Sequence, residues 1–133
     1  MPRAGLSEDR VVEEAELLSD AGEPFTLVVL ARRLGVQVPS LYKHVAGLDD
    51  LRRLVSTRAK LELASVLERA TVGKAGTDAV AAVAVAYRDW AGQHPGRYAI
   101  TLRAPDPADV ADVAAGARAI QVIFEARAAF GLE

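Results

Sequence analysis

The chain of 133 residues contains no cysteine and only two histidines. The lack of cysteine excludes disulfide bonds, thiolate metal ligands and cysteine nucleophiles. The histidines, His44 and His94, lie far apart in the sequence and give little support to a metal site or a Ser-His-Asp arrangement. Glycine patterns that hold nucleotide phosphates are also missing. We therefore predict a protein that is not an enzyme and needs no cofactor or metal.

Long hydrophobic runs are missing as well. No run approaches the roughly 18 uninterrupted apolar residues that cross a bilayer. The opening stretch, MPRAGLSEDR, lacks the apolar centre of a signal peptide. We therefore expect no membrane partner and, since cysteine is absent too, a cytoplasmic location. With 51% apolar and 26% charged residues, the chain has enough apolar side chains to bury a core.

Charge is unevenly distributed, although the formal net charge is only −2. Residues 1–25 hold two arginines and seven carboxylates, a net charge of −5. Residues 26–60 have a net charge of +5, with two aspartates against Arg32, Arg33, Lys43, Arg52, Arg53, Arg58 and Lys60. Such a separation of charge is typical where a basic element contacts phosphate and a neighbouring acidic element supports it. Ordinary solvated helix faces are the alternative interpretation.

Apolar residues recur at helical spacing through most of the chain, and no segment alternates convincingly with period two. The predicted fold class is therefore all-α. Ser7 and Thr26 are expected to cap the first two helices, and Gly35 to end the second with a positive φ. A third helix is predicted over residues 38–45, with Pro39 in its first turn, where the missing N–H has no intrahelical partner.

The second half of the sequence predicts one long helix and a further helical region. The long helix follows Gly47, runs for about 20 residues and links two lobes. Thr77 is expected to cap the next helix, which ends at His94 before a short helix. Asp106 is expected to cap a final helix that ends near Phe130.

Residues 26–45, TLVVLARRLGVQVPSLYKHV, contain two short helices joined by a tight turn. Ala31 is small where the two helices would cross, Gly35 tolerates the turn geometry, and Leu41 is apolar where the helices share a core. This combination predicts a helix-turn-helix, whose second helix can enter the major groove of DNA. A generic helical hairpin is the alternative.

The stretch VVEEAELLSDAGEPFTLVVLARRLGVQVPSLYKHVAGLDDL resembles the N-terminal DNA-binding domain of the tetracycline-repressor (TetR) family of bacterial transcription regulators. LARRLGVQVPSLYKHV followed by GLDDL is the most specific part of the match, which covers about residues 8–60. A weaker resemblance, in AYRDWAGQHPGRYAITLRAP, is to the start of one class of TetR ligand-binding domain. The resemblance implies a helix-turn-helix domain at 1–47, a linking helix at 48–70 and a partial effector-binding and dimerisation domain at 71–133.

The resemblance also implies a partner and the residues that contact it. The partner would be double-stranded DNA with a palindromic operator, bound by a homodimer. Base edges would be contacted by Gln37, Val38, Pro39 and Lys43. Phosphates would be held by Thr26, Ser40, Tyr42 and His44. Partial burial is the alternative for Tyr42 and His44, whereas Leu41 and Val45 are expected in the core.

Two positions depart from the family pattern. TetR-like sequences commonly have a phosphate-contacting lysine where Leu48 stands. Gln37 stands where a small hydroxyl residue often caps the third helix, and a glutamine caps less well, by about 1 kcal/mol. We therefore expect modest affinity for each protomer unless Arg52 or Arg53 compensates.

The family resemblance further implies an unknown small-molecule effector and, by analogy, a repressor whose operator binding the effector modulates. Candidate ligand-binding residues are Tyr87, Trp90, His94, Tyr98, Arg103 and Phe124, although aromatic residues at helical spacing more often belong to a core. Compared with the family, the C-terminal domain is expected to be shortened, without the last two helices that form the family's dimer interface. A stripe at Val113, Ala117, Ile120 and Phe124 is an alternative dimer surface.

A second class of function remains open at the level of sequence. The net charge of −2 and the expected shortening also suit a helical protein-interaction module, or a decayed regulator that no longer binds DNA. Such a protein would show no salt-dependent affinity for a DNA site.

Overall fold

A computed structural model describes residues 5–23, 25–103 and 106–129. These ranges contain helices and no strand, which confirms the all-α prediction. The helices are α1 Glu8–Asp20, α2 Leu27–Leu34, α3 Val38–Leu41, α4 Leu48–Thr71, α5 Gly76–Gln93, α6 Pro95–Thr101 and α7 Val110–Ala129. None of the helices in the described ranges is long and apolar enough to cross a bilayer.

The ends of the first two helices follow local capping chemistry. The Ser7 hydroxyl oxygen accepts the N–H of Arg10 at 3.1 Å, and that of Thr26 accepts the N–H of Val29 at 3.2 Å. Gly35 ends α2 with φ 69°, a left-handed conformation that suits glycine. All three predicted boundaries are confirmed.

The starts of α5 and α7 correct two predictions. Helix α5 begins at Gly76, after Ala75, so Thr77 lies inside the helix and is not its N-cap. Asp106 does not cap α7, because it begins a turn in which its carboxylate accepts the Ala108 N–H at 2.9 Å. Asp109 takes the capping role and accepts the Asp112 N–H at 3.1 Å. The predicted end near Phe130 lies outside the described residues.

Two hydrophobic clusters form the core, and α4 contributes to both. The first cluster unites α1, α2, α3 and the first half of α4, with Val11, Leu18, Leu30, Leu41 and Leu51 at its centre. The second unites the second half of α4 with α5 and α7, through Ala59, Leu63, Leu67, Val83, Trp90 and Val122. Because α4 has 24 residues, it extends about 36 Å and joins the two clusters. The division at residues 47 and 70 stays a prediction.

Helix α6 connects the C-terminal region with α1. A Cβ added at Gly96 would lie 2.1 Å from the Ser19 carbonyl oxygen, so glycine permits a close approach of the two backbones. Ile100, one turn further along α6, packs against the first cluster. These contacts place α6 beside α1, the helix that supports the helix-turn-helix.

Candidate nucleic-acid interface

The helix-turn-helix consists of α2, a turn at Gly35 and the short α3. Leu30 and Ala31 on α2 are buried, as are Leu41 and Val45 around α3. The predicted helix over residues 38–45 is shorter in the structure: regular helix ends at Leu41, and residues 42–44 form turns. Gln37 makes no side-chain capping bond, as its weak capping ability predicts. The unit is nevertheless anchored, because the Val45 N–H donates to the Leu41 carbonyl at 3.0 Å.

The structure brings seven of the eight predicted DNA-contacting residues together on and around α3. Exposed side chains are those of Thr26, Gln37, Pro39, Tyr42 and Lys43, while Val38, Ser40 and His44 are partly buried. Tyr42 is 56% exposed, so the burial alternative does not hold for it, although it describes His44 in part. Thr26 lies at the start of α2, where its oxygen accepts the Val29 N–H and its hydroxyl hydrogen remains available for donation.

Most cations of the basic segment at residues 26–60 are paired with carboxylates of α1, of α4 and of the region where α7 begins. Five of its seven cations form ion pairs: Arg33 with Glu14, Arg52 with Asp49, Arg53 with Asp50 and Asp109, Arg58 with Asp9 and Glu16, and Lys60 with Asp112. Most of the positive charge that the sequence assigns to this segment is therefore already paired within the protein. Arg32 and Lys43 are exposed and form no ion pair within the described part of the chain.

The two departures from the family pattern have clear structural settings. Leu48 is partly buried and packs against the first cluster. Arg53 is held between Asp50 and Asp109, so it offers little free charge to compensate for the missing lysine. Arg52 is less committed, since its guanidinium lies 3.6 Å from Asp49, whose side chain is 88% exposed.

The six predicted ligand-binding residues do not line one pocket. Trp90 is buried in the second cluster, and its ring centroid lies 5.3 Å from that of His94. Tyr87 and Tyr98 meet edge to face at 5.9 Å and pack against the same cluster. Burial, together with a hydrogen bond to Tyr98, raises the pKa of Tyr87 to about 12.

The other two members of the predicted pocket lie apart from this cluster. Phe124 is 58% exposed, and Arg103 is exposed at the end of α6. Arg103 lines a cavity with none of the other five residues. The helical spacing of Tyr87, Trp90 and Tyr98 therefore coincides with core packing, the alternative interpretation, whereas Phe124 lies at the surface.

Sequence reasoning missed a buried charge network centred on Arg97. The Arg97 side chain is 8% exposed and forms ion pairs with Glu16 and Asp20 of α1 and with Glu62 of α4. His94 lies 3.0 Å from Asp20 on the same face. Burial raises the pKa of Glu16, although Arg58 and Arg97 oppose the shift. No local motif announces this network, because its members come from three helices.

The described residues form only helices, and an exposed helix-turn-helix lies near the N-terminal end. These two features place the protein in the class of all-α helix-turn-helix proteins. A family model described as the tetracyclin repressor-like C-terminal domain matches residues 80–133. An uncharacterized HTH-type transcriptional regulator of Mycobacterium tuberculosis is 38% identical over 98% of this chain and 61% of its own length. Another, from Bacillus subtilis, is 30% identical over 76% of this chain and 54% of its own length.

A solved structure of a protein with unknown function from Rhodococcus sp. RHA1 superposes with a TM-score of 0.71 and 29% identity. That similarity covers 97% of this chain and 72% of the other. The chain is thus similar to tetracycline-repressor-like proteins in its C-terminal part, in agreement with the resemblance of its N-terminal sequence. It spans 61% and 54% of the length of the two curated relatives.

Proposed function

We propose that the protein is a sequence-specific DNA-binding transcriptional regulator, and a repressor by family analogy. The observation that carries the proposal is the orientation of α3: Leu41 is anchored in the core, while Pro39, Tyr42 and Lys43 face solvent. The names of the curated relatives support the same function. Major-groove recognition requires a helix with one face packed on the core and the opposite face open to solvent.

The proposed contacts divide into base recognition and backbone positioning. Gln37 and Lys43 hydrogen-bond to base edges, while Val38 and Pro39 contact thymine methyl groups. Thr26, Ser40, Tyr42 and His44 position the phosphate backbone. Arg32 adds a second exposed cation on the supporting helix α2.

Arg32 and Lys43, the two cations of the helix-turn-helix without an ion pair among the described residues, give a small electrostatic contribution to binding, so one copy would bind weakly. We therefore propose that a homodimer binds a palindromic operator, with two copies of α3 about 34 Å apart. A small-molecule effector that alters the position of α4 would change this separation and hence the affinity, by a coupling of about 1–3 kcal/mol.

The test is a titration of selected DNA at two salt concentrations. A site enriched from random duplexes is bound by the protein at about 50 and 200 mM salt, and affinity should fall about tenfold for every two phosphates neutralised. Lys43→Ala should weaken binding by roughly tenfold or more, because a base contact is lost. Lys74→Ala is the matched control, since this exposed lysine lies in the loop after α4. An affinity that ignores salt, or equal effects of the two variants, would support the interaction module instead.

A second pair of variants separates recognition from folding. Pro39→Ala should lower DNA affinity and leave thermal stability nearly unchanged, because Pro39 is exposed. Leu41→Ala should lower stability by about 3 kcal/mol, because it removes a fully buried side chain. If Pro39→Ala binds the selected site as well as the unaltered protein does, α3 is not the helix that recognises the DNA.

A further inference from the structure

A cavity of about 280 Å³ lies where the first half of α4 meets α6 and the start of α7. Its lining is rich in charge and has one aliphatic side chain: Asp49, Arg52, Arg53, Ser56, Ile100, Arg103, Asp106 and Asp112. The volume is near the lower end of the range for ligand sites, so only a small molecule would fit.

The deepest groups of this cavity already satisfy one another. Asp112 is buried, and its carboxylate accepts from Lys60 at 2.9 Å, Thr57 at 3.0 Å and Ser56 at 3.2 Å. Arg53, at the side, is neutralised by two aspartates. The floor therefore contributes shape and a polar surface, with little unbalanced charge.

The rim carries two arginines, Arg52 and Arg103, together with two aspartates, Asp49 and Asp106. Arg103 is exposed and forms no ion pair within the described residues. Arg52 pairs only with Asp49, at 3.6 Å and with 88% of that aspartate side chain exposed. Asp106, also on the rim, has one carboxylate oxygen occupied by the Ala108 N–H. Two guanidinium groups are thus available above an aliphatic wall formed by Ile100.

We propose that this cavity binds a small organic carboxylate, with its carboxylate held by Arg52 and Arg103 and its apolar part against Ile100. Guanidinium groups bind carboxylates through paired, charge-assisted hydrogen bonds, which favours a carboxylate over a neutral molecule of the same shape. The proposed ligand site is therefore the polar cavity where α4 meets α6 and α7, and not the aromatic residues of α5.

The position of the cavity gives such a ligand a route to the helix-turn-helix. Arg52 and Ser56 lie on the part of α4 that contributes to the first cluster, whereas Arg103 and Asp112 belong to α6, α7 and their connection. A ligand that contacts both sides favours one arrangement of them over others. This regulatory part of the inference rests on the proposed function, while the binding part stands without it.

The binding part is tested by nuclear magnetic resonance with benzoate and succinate as probes, and benzamide as the neutral counterpart of benzoate. Benzoate or succinate should shift the Ile100 methyl and Ser56 amide signals, with a dissociation constant of about 1 mM or lower, while benzamide should not. Arg103→Gln should weaken binding at least tenfold. Arg88→Gln, an exposed arginine on α5 outside the cavity, should leave it unchanged. The site is refuted by the absence of these shifts, by equal binding of benzamide, or by indifference to Arg103→Gln.

The regulatory part is tested by repeating the DNA titration with saturating carboxylate. A shift of at least fivefold in DNA affinity that is absent in Arg103→Gln supports the coupling, and no shift rejects it. Carboxylate binding without any DNA binding would reject the proposed function and leave the site intact. DNA binding without carboxylate binding would reject the proposed site and leave the proposed function intact.

Discussion

The Nε atom of Arg97 on α6 lies 2.9 Å from a carboxylate oxygen of Asp20, the last residue of α1. The same guanidinium donates to Glu62 on α4 at 2.5 Å and lies over the Trp90 ring at 5.8 Å. The buried Arg97 side chain therefore links α1, which supports the helix-turn-helix, to α4 and to the second hydrophobic cluster.

Replacing Arg97 with methionine should lower the free energy of unfolding by about 3 kcal/mol, because the carboxylates of Glu16 and Asp20 would lose a buried cationic partner. Urea denaturation at neutral pH measures the change. Arg118→Met provides the control, since its ion pair with Glu68 is exposed on both sides and should be nearly dispensable. Equal losses for the two variants would show that burial of the Arg97 network has no energetic consequence.

Gly96→Ala should destabilise the protein by about 1–3 kcal/mol, because the new methyl group would overlap the Ser19 backbone and force α6 away from α1. Gly92→Ala is a matched control on α5, where a Cβ meets open space. That variant should gain up to about 1 kcal/mol from the better helix propensity of alanine. Thermal unfolding distinguishes the two, and a tolerated Gly96→Ala would contradict the close approach of the helices.

Asp50 is expected to stabilise the start of α4 in a pH-dependent manner. The Ala46 N–H, donating at 2.8 Å, and the Arg53 guanidinium hold the pKa of Asp50 below its ordinary value of 3.8. Since the folded-state pKa is the lower one, the stabilisation is complete above pH 3.8 and is lost as the pH falls through the folded-state value. Asp50→Ala should therefore cost about 1 kcal/mol at neutral pH and progressively less in acid.

Asp49→Ala is the control for that comparison. Asp49 lies in the same helical turn, but 88% of its side chain is exposed. Its replacement should change stability little at either pH, so the difference between the two variants reports the contacts of Asp50 with Ala46 and Arg53. A stability loss in Asp50→Ala that stays constant down to pH 3 or below, roughly a unit under the ordinary pKa, would contradict the assignment.

Lys60 and Asp112 should behave as a coupled pair. Their side chains are 11% and 6% exposed, and the Nζ to Oδ2 distance is 2.9 Å. Lys60→Met alone should cost about 3 kcal/mol, because it leaves a buried carboxylate with only hydroxyl partners. With Asp112→Asn added, the second substitution should cost less than it does alone, giving a coupling of about 0.5–3 kcal/mol. Strictly additive losses in calorimetry would show that the pair does not interact.

Local features were predictable from the sequence. The caps at Ser7 and Thr26 and the positive φ of Gly35 depend on residues three or four positions apart, so a linear reading captures them. The same reading placed Leu41 in the core, where the structure has it, with Pro39 and Tyr42 exposed beside it. Asp106 was a plausible cap by the same logic, and it lost that role because a competing turn carries the chain to Asp109 before α7 begins.

The distribution of charge could not be predicted in this way. Arg97 and Asp20 are 77 positions apart, and Lys60 and Asp112 are 52 apart. Counting charges along the chain made residues 26–60 look basic, whereas folding brings carboxylates from α1 and α7 against three of the seven cations, Arg33, Arg58 and Lys60. The aromatic residues of α5 and α6 were similarly ambiguous, because core and pocket linings share one helical spacing.

The sequence by itself determined an all-α chain, a helix-turn-helix at residues 26–45 and a resemblance to the tetracycline-repressor family, because capping, periodicity and turn chemistry are local. Only the tertiary structure decided which charges are paired, which residues line the cavity between α4 and α6, and how α6 joins α1. Those properties depend on which helix faces meet, and side chains distant in sequence acquire their electrostatic surroundings only when the helices pack.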